Sequence, residues 1–396
     1  MTPRTAPANG AAEPSSHDAV PPLRVGVVGL GWAGQQHMEA FAAIPGVELV
    51  AIAGQEDGPR AELAELYGVA HAYSDWQDLV TAGGIDAVSV AVPTFLHAPI
   101  TIGALRAGLH VLCEKPIARN GAEAAEMVAA ARAAGRVLEI AFNHRRRGDV
   151  EALRAEVDAG VIGWPYHAHS VWLRRSGIPS LGSWFTNREM AGGGPLIDLG
   201  VHVLDFTLHV MAEPRVTAVS AVTHAELGPR GLGGSGDGKQ QVGSAYEVED
   251  FASVMVRLEG GGSMMLETSW AAHRPSGDQF GITLYGTEGG ADLRVVDYAP
   301  AGSLTVFTGD GEDSVDRSVV SPDAPGHSAV VTTFVEHVRT PSSWAAHDGS
   351  LALERARIID ACYASAAAGA EVRLDDLFPE RAAERETTDE TNGTNR

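Results

Sequence analysis

Lys115 stands between Glu114 and Pro116, just past the short β-branched run His110–Cys113. If that run is a strand of a parallel sheet, its carboxyl end delivers the lysine to the edge where open α/β sheets bind ligands. A partly desolvated ammonium there can donate to an alcohol oxygen and stabilise the alkoxide that develops as a hydride departs. The competing account is a solvated strand-end lysine. A second constellation is Gly192-Gly-Gly-Pro195-Leu-Ile-Asp198-Leu-Gly-Val-His202-Val-Leu-Asp205. Proline suits the first helical position, so a helix is expected from Pro195, with Asp198 and His202 at i and i+4 on one face. A histidine is a natural base for an alcohol near neutral pH, and a carboxylate one turn away can orient it or hold the substrate hydroxyl. A lone helical histidine is more often a core residue, and Asp205, at i+3, reads as a structural partner.

These groups need a scaffold. From Leu23 onward short β-branched runs (Arg24–Gly29, Glu48–Ala53, Ala87–Val92, His110–Cys113, Val137–Phe142) alternate with helical stretches near Gln35–Ala43, Arg60–Tyr67, Ala98–Ala107 and Ala122–Ala134. That alternation implies α/β architecture, a Rossmann-type doubly wound parallel sheet. The first run enters Gly29-Leu-Gly31-Trp32-Ala33-Gly34 and then a helix, the context in which Gly-x-Gly-x-x-Gly binds a dinucleotide. Gly29 permits the tight turn, Gly31 lets a pyrophosphate approach, and Gly34 lets helix and strand pack closely. The second run ends Ala53-Gly54-Gln55-Glu56-Asp57, with Gly54 where an NAD-holding acid is expected and Arg60 the nearest arginine. Either cofactor, NAD or NADP, fits; the missing acid predicts tolerance of both or a lean to NADP.

After about Gly160 the period changes. Phe251–Glu259 and Gly262–Trp270 alternate faces across a Glu-Gly-Gly turn and predict an antiparallel hairpin. Tyr166–Arg174, Val216–His224, Phe280–Tyr285 and Ser303–Phe307 are further strand candidates, and helices return at Ser328–Val338 and Ser350–Ala368. The expected second domain is α+β: an open, mostly antiparallel sheet with helices on one face. The expected division is a disordered tail (1–21), a dinucleotide-binding domain (22–150), a substrate and oligomerisation domain (151–378) and a second tail (379–396). The stretch Leu227–Ser244 predicts a mobile loop.

The set Gly29-x-Gly31-x-x-Gly34-x-x-His37, Pro93-x-x-x-His97, Glu114-Lys115-Pro116 and Asp198-x-x-x-His202 resembles the glucose–fructose oxidoreductase and inositol 2-dehydrogenase family (Gfo/Idh/MocA), from Leu23 to about Leu377. Glu-Lys-Pro is its most specific element, and Gly54 is a departure where NAD-using members commonly carry aspartate. The resemblance implies catalytic roles for Lys115, Asp198 and His202, with the first two positioning and polarising a hydroxyl and His202 as acid/base. It also implies a secondary hydroxyl of a sugar, glycoside or cyclitol as the reacting group, and a homodimer or homotetramer. The cofactor set expected is Gly29, Gly31, Trp32, Ala33, Gly34, Gln55, Pro93, Thr94, His97, Glu114 and Lys115. Candidate substrate contacts besides the catalytic three are Asn143 and Arg145 after the sixth strand, and Trp172 and Arg174, whose aromatic and guanidinium groups suit a sugar ring. The Arg-Arg-Ser-Gly-Ile-Pro and Gly-Gly-Gly-Pro segments resemble glycoside-oxidising relatives and suggest carbon 3.

The net charge of −22 disfavours nucleic acid and anionic membranes. Two cysteines make no disulfide framework and have no metal-ligand spacing; His167 and His169 alternate on a strand without a third ligand, so no metal site is expected. No apolar run of spanning length is present, and a cytoplasmic enzyme is expected. Two other readings remain: a redox-elimination glycosidase on the same scaffold, distinguished by the absence of net NAD(P)H, and a catalytically silent nucleotide-binding sensor, against which the intact catalytic three argue.

Overall fold

The computed structural model describes residues 21–234, 246–275, 277–299, 302–309, 311–321 and 326–381. The expectations for 1–20, 235–244 and 382–396 lie outside the described residues.

The amino-terminal half is a six-stranded, wholly parallel sheet: β1 (Leu23–Val28), β2 (Val47–Ala53), β3 (His71–Tyr73), β4 (Ala87–Val90), β5 (His110–Cys113) and β6 (Leu138–Ile140), in the order β3-β2-β1-β4-β5-β6. The helices between them are α1 (Trp32–Ala43), α2 (Asp57–Tyr67), α3 (Trp76–Thr81), α4 (His97–Arg106) and α5 (Gly121–Ala134). β4 and β5 are buried along their whole length, as strands covered on both faces must be, and their continuous apolar runs follow from that. The strand order reverses between β1 and β4, which opens a crevice beyond their carboxyl ends. β3 and α3 carry too short a pattern to be read from sequence.

Beyond α6 (Gly148–Asp158) the chain builds a nine-stranded sheet from β7 (Pro165–Arg174), β8 (Val216–His224), β9 (Phe251–Leu258), β10 (Ser263–Ser269), β11 (Asp278–Gly286), β12 (Gly289–Val296), β13 (Ser303–Thr308), β14 (Val315–Val319) and β15 (Val372–Arg373). Its order is β14-β13-β12-β11-β7-β10-β9-β8-β15, antiparallel except for the central β7–β10 pair. The expected hairpin is β9–β10, in the register Met255↔Met265. Between β7 and β8 come α7 (Arg188–Ala191), a π-helical turn (Leu196–Gly200) and α8 (Val201–Val210); α9 (His327–Val338), α10 (Ser350–Ala368) and α11 (Leu374–Leu377) follow β14. α6, α8 and α10 cover one face of the large sheet. On the other face Val222, Met255, Tyr285, Val296 and Phe307 are exposed.

Two departures from the sequence division have packing causes. The apolar stripe of α9 (Val330, Val331, Phe334, Val335, Val338) joins Met38 and Phe41 of α1 in the core beneath the parallel sheet, so a helix from the second segment completes the first layer. α10 divides its faces, with Ala352, Leu353 and Ala356 against the parallel-sheet core and Ile358, Ile359 and Cys362 against the large-sheet core. At the other end, Arg381 is buried and bonds Glu354, Asp375 and the Val216 carbonyl, so the ordered chain continues past the expected start of the tail at 379.

Candidate active site

The turn after β1 shows why its glycines are required. Gly29 has φ +106°, and a Cβ there would lie 2.0 Å from the Ala91 carbonyl oxygen; one on Gly34 would lie 2.0 Å from the Gly29 oxygen. Over Gly31 there is open space. Gly31 caps α1 without a side-chain hydrogen bond, and the first turn carries no acid, so its free N–H groups suit a pyrophosphate. This cradle fits a dinucleotide. Trp32 is exposed beside it, and Ala33 is half-buried.

At the end of β2, a Cβ on Gly54 would come within 2.4 Å of the buried Leu30 side chain, a steric reason for the missing acid. Gln55 is exposed at this edge. Arg60 donates to the Gly54 carbonyl at 2.6 Å and pairs with Asp57, so its charge is already engaged. Pro93 caps the turn beyond β4, and Thr94 is buried. His97 is buried with Nδ1 2.8 Å from the Pro116 carbonyl and Nε2 2.9 Å from that of Val92. A neutral imidazole carries one N–H, so it donates to one of these carbonyls at a time, and that bond ties the ends of β4 and β5 together.

Lys115 emerges from β5 as expected. Its Nζ donates to Asp198 Oδ1 at 2.9 Å and to the Asp198 carbonyl at 3.3 Å, and both side chains are mostly buried. The other carboxylate oxygen, Oδ2, accepts from Trp270 Nε1 at 2.9 Å. Burial alone would raise the Asp198 pKa; the charges of Lys115 and Arg174 and these hydrogen bonds outweigh it and hold the carboxyl below its ordinary value. The helix begins at Pro195 as expected, and its first turn is π-helical, with Asp198 inside it. Asp198 and His202 make no hydrogen bond to each other among the described residues; the Asp198 carboxylate meets Lys115 and Trp270.

His202, at the start of α8, is buried between His144 (ring centroids 4.6 Å apart) and Trp172 (5.6 Å). Its Nδ1 has no hydrogen-bond partner among the described residues. Burial first, then the charges of Lys115 and its neighbours, pushes its pKa well below the ordinary 6.5, so the imidazole is neutral at pH 7. His144 is likewise neutral, from burial and then Arg147 and Lys115.

Several candidate substrate contacts are otherwise occupied. Arg145 forms a bidentate pair with buried Asp205, with Glu213 and Arg355 in the same network. That carboxylate, three residues beyond His202, draws the guanidinium into α8's support, in line with a structural Asp205. Trp172 is buried, donates to Asp278 Oδ1 at 2.7 Å and packs on Phe280; it backs His202 instead of presenting a face to a sugar. Arg174 pairs with Asp278 at 2.6 Å and with Tyr298. Asn143 Nδ2 bonds His327 Nε2 at 3.1 Å. Glu114 is buried; burial would raise its pKa, but His37, His327 and Lys115 bring it down to about 2. Trp270, His144, His327 and Tyr298 went unread in the sequence. Only His144 had a signal, its place in the segment after β6.

Residues 23–142 match the model of an oxidoreductase family with an NAD-binding Rossmann fold, and residues 150–292 match the Gfo/Idh/MocA C-terminal domain. The chain is 34% identical to the D-glucoside 3-dehydrogenase of Escherichia coli, over 89% of this chain and 98% of that protein. It is 31% identical to the levoglucosan dehydrogenase of Pseudarthrobacter phenanthrenivorans, over 67% and 72%. Among solved structures, levoglucosan dehydrogenase in complex with NADH and L-sorbose superposes with a TM-score of 0.76 at 26% identity, covering 90% of this chain and 99% of that one.

Proposed function

The chain belongs to the Gfo/Idh/MocA oxidoreductase family, and on that footing we propose that it is a glycoside dehydrogenase acting at the 3-hydroxyl of a pyranose ring. It is an NAD-dependent oxidoreductase of sugar-type secondary hydroxyls. The observation that carries the residue roles is the Lys115–Asp198 pair at 2.9 Å, next to a buried, neutral His202. The turn Gly29–Gly34 and the α1 amino terminus hold the pyrophosphate of NAD. Bound there, NAD supplies the hydride acceptor.

In this reading Lys115 donates to the substrate oxygen and lowers the cost of alkoxide character, while Asp198 fixes that ammonium and accepts from a neighbouring hydroxyl. His202 takes the hydroxyl proton, for which its depressed pKa keeps the base form populated. Trp270 holds Asp198 from behind. Neither a covalent nucleophile nor a metal is required for this proton transfer. The carbon-3 assignment rests on the likeness to D-glucoside 3-dehydrogenase. The uncovered face of the large sheet, with Met255, Tyr285 and Phe307 exposed, supports a homo-oligomer built through it. No described helix is long and apolar enough to cross a membrane.

Incubation of a β-glucoside deuterated at carbon 3 with NAD should yield deuterated NADH and a 3-keto product in equal amounts. Oxidation at another carbon retires the carbon-3 assignment. Aglycone release without net NADH would mean redox elimination, and no turnover of any sugar or cyclitol would overturn the reading.

A further inference from the structure

His37, Glu114 and His327 come from α1, the residue after β5 and the first turn of α9, and their side chains converge. His37 Nε2 lies 3.3 Å and His327 Nδ1 3.6 Å from the same oxygen, Glu114 Oε1, and all three atoms lie within 4.8 Å of one another. None of the three atoms makes a hydrogen bond to any described residue, and His37 and Glu114 are more than nine-tenths buried. From these contacts we infer that the triad is a binding site for one zinc-class divalent ion, separate from the Lys115–Asp198 pair.

The spacing is that of ligands around a small ion. With bonds of about 2.0–2.2 Å, the atoms of a tetrahedral site stand about 3.3–3.6 Å apart, as the two measured edges do. Two imidazoles sharing such an ion have centroids about 5–6 Å apart in inclined planes; these are 5.7 Å apart at 52°. The outer atoms are already arranged. His37 Nδ1 meets Ser89 Oγ at 2.7 Å, an acceptor that leaves Nε2 free for a metal, and the Asn143 amide sits on His327 Nε2 and can present its oxygen by a flip. The second oxygen of Glu114 keeps the Lys115 N–H at 3.0 Å. Lys115's ammonium is paired with Asp198. The exposed Trp32 meets the His327 ring edge-on at 5.1 Å.

A second His-Glu-His group provides a contrast. Glu139, His337 and His347 also lie together, but the two imidazoles are stacked at 3.4 Å and 15°. Two nearly parallel planes that far apart share no in-plane point, so one ion cannot be ligated by both rings.

Untagged full-length protein, stripped with a chelator, is titrated with Co²⁺ and then Zn²⁺. One Co²⁺ per chain with an intense visible spectrum of tetrahedral type, displaced by one Zn²⁺ and accompanied by a rise in Tm, is expected. His327→Gln, at a partly exposed position, should weaken binding by at least about 100-fold and abolish the spectrum. Asn143→Leu should weaken it by about tenfold while leaving the spectrum in place. Absence of a one-to-one site, a purely octahedral spectrum, or unchanged affinity in His327→Gln would overturn the assignment.

Discussion

Trp270→Phe isolates the support of Asp198. Trp270 is fully buried, and its Nε1 donates at 2.9 Å to Asp198 Oδ2, while the ring packs near Phe185 and does not touch Lys115 by any recorded hydrogen bond. Phenylalanine keeps most of the apolar burial and removes the donor. A hydrogen bond to a charged acceptor contributes about 1.5–3 kcal/mol, and the acceptor left behind is nearly buried, so the stability loss at pH 7 should fall in that range. The sign with pH follows from the depressed Asp198 pKa. Its stabilisation is fully present above the carboxyl's unfolded value and is lost as pH falls through the folded value. The variant gives up part of that stabilisation, so its deficit is largest at neutral pH and shrinks in acid. The rate should respond as well, because Oδ1 alone then aligns the Lys115 ammonium; if half the lost bond reaches the transition state, kcat drops about 4- to 13-fold. Urea unfolding at pH 7 and near pH 3, with NADH formation at saturating substrate, reads both effects. A stability deficit independent of pH, or a destabilised variant with wild-type kcat, would refute the link from Trp270 through Asp198 to catalysis.

His202→Asn should lower kcat by about 100-fold or more and erase the acidic limb of the pH–rate profile, which in the wild type lies below pH 6.5 because the folded imidazole titrates below its ordinary value. Lys115→Ala should reduce kcat on a similar scale while leaving NAD affinity, measured by titration calorimetry, largely intact, since the phosphate contacts are main-chain. With Arg60 engaged by Asp57 and the Gly54 carbonyl, NAD should have the higher kcat/KM, and Asp57→Ala, which frees the guanidinium, should improve NADP relative to NAD; steady-state kinetics with each cofactor decides it. Tyr285→Glu on the uncovered sheet face should shift light-scattering mass toward the monomer without changing the far-UV spectrum.

The parallel sheet, the cofactor turn and the positions of Lys115, Asp198 and His202 were legible in the sequence because each is a local matter. Short β-branched runs alternate with helices, glycines stand where Cβ atoms would strike a carbonyl, and a proline opens the segment that carries Asp198 and His202. The β9–β10 hairpin was legible for the same reason. Partnership was not. Trp270 sits at the end of an ordinary alternating strand, and nothing near it in sequence tells that its indole reaches Asp198, 72 residues away. Trp172 and Arg174 look like a sugar platform in one dimension, yet Asp278 and Phe280, brought alongside by the β7–β11 pairing, turn them into support. Arg145 was drawn off by Asp205 because a buried carboxylate must be paired, and only the fold decides which cation reaches it. The π turn at Leu196–Gly200, the insertion of α9 under the parallel sheet and the convergence of His37, Glu114 and His327 are of the same kind. Local chain chemistry set which residues could act; long-range packing decided which of them meet, since contact energies between distant segments leave no period in the sequence.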